Sequence, residues 1–252
     1  MGKPGFALSH QPHESEDFAA AFGTVDESLV VSVGQEYPER ATADAASLGR
    51  AIRAVVGVRG DVLAKGADLR SPAAAASKDF RVAAFRSTRH VHVAWVARDG
   101  SADGAIAELG AGDVGAPAVA IEGDMLHVVW AQRASNVEGY RLEYTTWRHG
   151  DPKPSAPRTL DTGRRAAFAP TIAARPRELA LAWMEEEGGK STVRAGIGVD
   201  PEAAIAVAGD LSTPGVSGRD PELALAAGRF TIVWMEYATP KGDVHAAAIS
   251  CE

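Results

Sequence analysis

A proline stands thirteen positions before a tryptophan three times in this chain: Pro117 and Trp130, Pro170 and Trp183, Pro221 and Trp234. A fourth copy is read as ending at Trp95, with Val82 in the proline slot. Successive tryptophans then lie 35, 53 and 51 residues apart. A recurrence near 50 residues constrains the fold more than any other feature. It implies stacked copies of one supersecondary unit, none of which can bury its apolar face alone.

Aligned on tryptophan, the copies place Val91, Leu126, Leu179 and Phe230 four residues earlier, and Val93, Val128, Leu181 and Ile232 two residues earlier. Positions i, i+2 and i+4 share one face of a strand. A shorter strand of small residues precedes it, at Ala84, Val119, Ile172 and Leu223. A third alternating segment follows: Ala105–Leu109, Tyr140–Tyr144, Val193–Ile197 and Val244–Ala248. Turn-forming residues such as Gly123-Asp124, Gly188-Gly189 and Gly242-Asp243 separate the segments. An outer strand is expected at Arg158–Leu160 and at Ala204–Ala208, and is expected to be vestigial in the short Trp95 copy. The tryptophans read as pegs between neighbouring sheets. Trp147 falls outside the register and reads as an exposed or interface aromatic.

The N-terminal third reads as a degenerate unit without Trp, with strands at Phe18–Phe22, Leu29–Val33, Ile52–Val58 and Asp61–Lys65. Ala-rich Arg40–Ala54 offers a helix as an alternative. The whole chain is expected to be one all-β domain, a β-propeller of five blades with three to four antiparallel strands each. The blades span roughly 18–66, 71–112, 116–162, 168–209 and 219–250. Residues 5–9 (Phe6–Ser9 as the strand) supply the last blade's missing strand and close the ring, which leaves no sheet edge unpaired.

Composition excludes several function classes. A formal net charge of −7 argues against nonspecific nucleic-acid binding, which needs a basic surface. No apolar run approaches the length of a membrane span, so no membrane insertion is expected. The single Cys251 excludes an internal disulfide and Cys-rich zinc motifs. No basic-then-apolar leader is visible, so the chain reads as cytoplasmic or as a secreted or periplasmic domain with its signal removed. A monomer is expected.

The stretch "APAVAIEGDMLHVVWAQR" followed by "GYRLEYTTW", from Ala116 to Trp147, resembles the repeats of sialidase-like β-propellers. The likeness covers Phe80–Ser250 and is one of fold. The Asp-box, Ser-x-Asp-x-Gly-x-x-Trp, is absent, and neither the arginine triad nor the Tyr/Glu pair of sialidases has a matching position. A five-unit ring also resembles five-bladed glycosidases and lectins. The resemblance therefore implies a fold and a carbohydrate context, and no catalytic residue.

In propellers, the loops after the second strand and before the first lie on one face over the axis. Here that face is expected to gather Arg98, Gln132, Arg133, Glu185, Glu236 and Tyr237 from after the tryptophans. Asp113, Arg219 and Asp220 come from before the prolines, and Tyr37 from the first unit. Two residues after Trp stand Gln132, Glu185 and Glu236, a candidate polar ring. Ligand contacts are expected from Gln132, Arg133, Arg98, Tyr237, Arg219 and Tyr37. Glu185, Glu236 and Asp220 are the candidate acids if the protein hydrolyses glycosides; the bland alternative is solvated loop acids beside Lys and Arg. His10 and His13, followed by Glu14, Glu16 and Asp17, are competent ligands for a divalent metal, or simply a polar terminus. The leading reading is a ligand-binding propeller with a polar axial pocket for a glycan or other small molecule. A glycoside hydrolase, with or without metal, comes next, and a scaffold for protein partners third.

Overall fold

The computed structural model describes residues 13–22, 28–36, 52–56, 62–66, 68–97, 102–135, 138–160, 162, 166–198, 206–226, 228–238 and 241–249. Up to residue 66, and at 206–208 and 226, the description is of backbone alone. The described strands form five antiparallel sheets in chain order. The first holds β1 (His13–Phe22), β2 (Ser28–Glu36), β3 (Ile52–Val56) and β4 (Val62–Gly66). The second holds β5 (Arg70–Ala76), β6 (Arg81–Arg86), β7 (Val91–Trp95) and β8 (Ala107–Leu109). The third holds β9 (Asp113–Val114), β10 (Ala118–Glu122), β11 (Met125–Arg133), β12 (Arg141–Arg148) and β13 (Arg158–Thr159). The fourth holds β14 (Ala167–Arg175), β15 (Glu178–Glu187), β16 (Lys190–Gly198) and β17 (Ala206–Asp210). The fifth holds β18 (Ser217–Ala226), β19 (Arg229–Tyr237) and β20 (Asp243–Ile249). Successive meanders of this kind make a β-propeller. The proposed closing segment Phe6–Ser9 lies outside the described residues, as do residues 40–51 of the helix alternative; Ile52–Ala54 are strand.

One register assignment needs correction. Trp95 ends β7, the third strand of its sheet, whereas Trp130, Trp183 and Trp234 lie on second strands. The second strand of that sheet is β6, and its residue thirteen after Pro72 is Phe85. Pro72 and Phe85 are therefore the fourth copy of the repeat, with Phe in the Trp slot. The outer strand expected to be vestigial is present as β8, because the unit begins ten residues earlier than the Trp95 alignment placed it. Trp147 is also corrected. It is buried at 5% exposure, meets Trp95 edge-on with ring centres 6.1 Å apart, and donates its indole N–H to the Asp151 carbonyl at 3.0 Å.

The sheets stack with a consistent polarity. On β15, Leu179, Leu181 and Trp183 pack against the third sheet, among Val129, Ala131 and Leu142. The alternate residues Ala180, Ala182 and Met184 pack against the fifth sheet, among Phe230, Ile232 and Trp234. On β11, Leu126, Val128 and Trp130 likewise face the second sheet, among Val82, Ala84 and Val93. Each second strand thus turns its large face to the preceding sheet and its smaller face to the next. With both faces covered, β15 is buried continuously from Leu179 to Glu185. On β19 burial alternates instead, and Val233 on the fifth sheet's outer face is 38% exposed.

The inner strands share a kink. Ser71, Ala169 and Asp220 have φ of 49°, 47° and 51°, and each is followed by a proline. Pairing slips there, between Arg70 and Ala73, Phe168 and Thr171, and Arg219 and Glu222. A residue before proline is driven from the right-handed helical region, and a non-glycine residue with positive φ is strained. In the third sheet the same interruption splits β9 from β10 at Gly115-Ala116-Pro117. These bulges position the site.

Candidate functional site

The four kinks surround a pocket of about 650 Å³. Its described walls are four short segments: Ser71–Ala74, Ala116–Val119, Ala169–Ile172 and Asp220–Leu223. The residue after each proline is Ala73, Ala118, Thr171 or Glu222. Three copies keep that position small and the fourth carries a carboxylate. Asp220 and Glu222 are the only ionisable side chains on the described walls. Glu222 keeps water-accessible surface, yet its concave surroundings push its carboxyl above the usual range, and the neighbouring Asp220 charge adds to this. Thr171 Oγ1 accepts a bond from the Leu223 N–H at 3.2 Å, tying the fourth and fifth sheets together at the wall.

A polar cluster fixes the rim between the second and third sheets. Arg86 donates through Nε to Ser71 Oγ at 3.2 Å and through Nη1 to the Val114 carbonyl at 3.0 Å. Asp113 Oδ2 accepts from Arg133 Nε and from the Tyr140 hydroxyl, both at 2.7 Å. The Arg133 guanidinium lies 4.6 Å over the Tyr140 ring. The Tyr140 bond, and then Arg133, hold the Asp113 carboxyl below its ordinary value against its partial burial. Burial, and then Asp113, raise the Tyr140 hydroxyl above its own.

The expected polar ring is real as a repeat, and its members point at indoles. Trp130 Nε1 donates to Gln132 Oε1 at 3.1 Å, Trp183 Nε1 to Glu185 Oε1 at 2.9 Å, and Trp234 Nε1 to Glu236 Oε1 at 2.9 Å. Glu185 is 1% exposed and meets Arg194 Nη1 at 3.3 Å. Glu236 is 4% exposed, accepts the Thr213 N–H at 2.8 Å and lies 3.7 Å from His245 Nε2. Burial pushes the Glu236 carboxyl up, but the bonds from Trp234 and Thr213 outweigh it and hold it below the usual range. Gln132 Oε1 also accepts the Ala111 N–H at 3.3 Å. Gly110 lies against this pair: its φ is +76°, and a Cβ there would stand 2.7 Å from Gln132 Oε1.

Of the other candidates, Arg219 and Tyr237 come together, with the guanidinium 5.8 Å from the ring centre. Arg98, Tyr37 and His10 lie outside the described residues. His13 opens β1 opposite Glu36, and only its backbone is described. No group of three His, Cys, Asp or Glu converges as a metal site among the described residues. Glu222, Tyr140 and Phe168 were not picked out from sequence. The signal for Glu222 was the lone charge at a position that its sister strands keep small.

No family model matches the sequence, and no curated protein matches it. Solved structures do. The α-L-arabinanase from Penicillium chrysogenum, solved with arabinobiose, aligns with a TM-score of 0.57 at 10% identity, over 96% of this chain and 80% of the other. The GH93 α-L-arabinofuranosidase of Fusarium graminearum, also with arabinobiose, aligns at 0.53 and 12% identity, over 87% and 76%. The GH43_1 enzyme from Xanthomonas citri, complexed with xylose, aligns at 0.50 and 12% identity, over 95% and 88%. These neighbours are β-propeller glycoside hydrolases. At such identity the likeness establishes the propeller fold, and not the sialidase-like superfamily.

Proposed function

We propose that the protein binds a glycan in its axial pocket. The observation that carries this reading is the pocket itself: small residues on three described walls, and Asp220 with Glu222 on the fourth. Carboxylates accept hydrogen bonds from neighbouring sugar hydroxyls, and the volume lies within the range of small-molecule sites. The propeller neighbours solved with arabinobiose and xylose supply the first probes. Part of the same proposal is that the five sheets are the five blades of one closed ring, formed by a monomer. The stacking polarity supports this: the fifth sheet's open smaller face matches what every other described junction offers to a large face. Residues 5–9 are proposed as the strand that pairs with β20.

NMR titration with arabinobiose and xylose tests the reading. The wild type should show saturable shifts at Ala118 and Thr171. Asp220→Asn and Glu222→Gln should each weaken binding about tenfold, roughly the loss of one charge-assisted hydrogen bond. Absence of any shift at these residues contradicts it.

Hydrolysis is the second reading, favoured by the raised Glu222 carboxyl beside Asp220. A carboxyl raised above its usual range beside a second acid is an arrangement suited to acid–base work. On this reading Glu222 donates the proton and Asp220 acts as base, while Glu185 and Glu236 hold indoles. Among the described residues both axial acids come from one strand, whereas bond cleavage needs carboxyls flanking the bond. Binding therefore stands first. Release of reducing ends from arabino-oligosaccharides, lost in Glu222→Gln, would reverse the order. Metal analysis of the purified protein tests the variant in which His10 and His13 hold a divalent ion.

A further inference from the structure

A second pocket, of about 610 Å³, opens between the third and fourth sheets. It shares Ala116 and Ala169 with the axial pocket, so the two adjoin along a line running from the axis outward. The chemistry changes along it. Phe168 and Tyr140 give the outer part a half-buried aromatic lining, and Glu138 and Glu186 stand exposed at its edge. Gly115, Ala131, Gly139 and Ala166 keep the remaining lining small. The one cation among these lining residues, Arg133, is engaged by Asp113 and stacked on Tyr140.

We infer that the ligand is a neutral, linear oligosaccharide, with one unit in the axial pocket and the next in this side pocket. The inference rests on the glycan-binding reading and adds the length and charge of the chain. Length follows from adjacency, since a single sugar in the axial pocket would leave the adjoining pocket to water. Neutrality follows from the charge of the described lining. Asp220 and Glu222 at one end and Glu138 and Glu186 at the other repel an anionic sugar, and Arg133 already has its counter-ion. An aromatic lining with carboxylates at its edge suits a sugar ring, which offers apolar C–H faces and hydroxyl donors at its edge.

The test is an NMR titration series with arabino-oligosaccharides of one, two, three and five units, and with an oligogalacturonate of three units. In the wild type the Kd should fall about tenfold or more between one and three units, with shifts spreading from Thr171 to Tyr140 and Phe168. The acidic trimer should bind no better than the single neutral unit. Ala166→Trp fills the side pocket, and should bring the ratio of one-unit to three-unit Kd down to about one. Glu138→Ala with Glu186→Ala, both on exposed residues, should reduce the ratio without filling the pocket and serves if the tryptophan variant misfolds. Length-independent binding, a length gain that survives both variants, or tighter binding of the acidic trimer overturns the inference while leaving an axial sugar site in place. No binding by any neutral sugar overturns the axial reading and this one with it.

Discussion

Trp183 donates its indole N–H to Glu185, two residues further along β15, at 2.9 Å. The same bond joins Trp234 to Glu236 and Trp130 to Gln132. The residue across the ladder from each tryptophan tracks the choice of acceptor. Arg194 pairs with Trp183 and His245 with Trp234, and there the acceptor is Glu. Glu143 pairs with Trp130, and there it is neutral Gln. An indole N–H buried without a partner is costly. At Phe85 the corresponding residue is Ser87, and phenylalanine needs no acceptor.

Glu185→Ala strands the Trp183 indole and removes one of Arg194's carboxylate partners, leaving Asp210 3.0 Å from its Nε. A buried donor left unsatisfied typically costs about 1–3 kcal/mol. Urea denaturation should show a loss in that range. Glu185→Gln should lose clearly less, since Gln132 performs the same task in the third sheet. Equal losses in the two variants would show that the indole bond contributes little.

Trp95 is the counter-example: its Nε1 is buried with no hydrogen-bond partner among the described residues, and Ala97 occupies the position two residues on. Ala97→Gln places an acceptor at the spacing used by the other three tryptophans. Thermal denaturation should show a gain of about 1 kcal/mol. An unchanged or lowered Tm would show that Trp95, on a third strand, directs its indole away from that position.

The repeat itself was legible because burial between sheets demands a large residue at one fixed distance from each inner-strand kink. What misled was the residue type. Trp95 matched the Trp pattern, whereas the position was kept by Pro72 and Phe85, which share the spacing and lack the indole. Gln132, Glu185 and Glu236 were visible as a periodic polar position, but sequence spacing cannot show that a loop acid turns inward to an indole rather than outward to a ligand. Glu222 went unnoticed because it sits among apolar strand residues, and the bulge at Asp220 that turns it to the axis is a backbone event.

His127 is fully buried, shares a hydrogen bond of 2.8 Å between Nδ1 and the Tyr144 hydroxyl, and has Glu122 3.7 Å from Nε2. Burial lowers its pKa from 6.5 to about 4, against the opposing pull of Glu122. Between those values the unfolded chain binds a proton that the folded protein does not, so stability rises with pH across that window. From pH 7 down to pH 4 this group should remove about 3 kcal/mol of stability. In His127→Gln the corresponding slope of unfolding free energy against pH should vanish. A slope unchanged from wild type would assign the acid sensitivity to other groups.

Asp220→Asn removes a charge beside Glu222 while keeping a residue that tolerates the φ of 51°. The Glu222 carboxyl should then titrate lower than in the wild type, yet still above an ordinary glutamate, because the concave surroundings that raise it persist. Carboxyl-detected NMR reads both values. An unshifted Glu222 would mean that the two acids do not share the axial wall.

The most direct measurement of the site is a crystal structure of the protein soaked with arabinotriose. The predicted result is one sugar unit in the axial pocket, hydrogen-bonded to the carboxylates of Asp220 and Glu222, with the chain continuing toward Tyr140 and Phe168. A sugar bound elsewhere on the propeller with the axial pocket free of it, or no sugar at saturating concentration, would contradict the assignment.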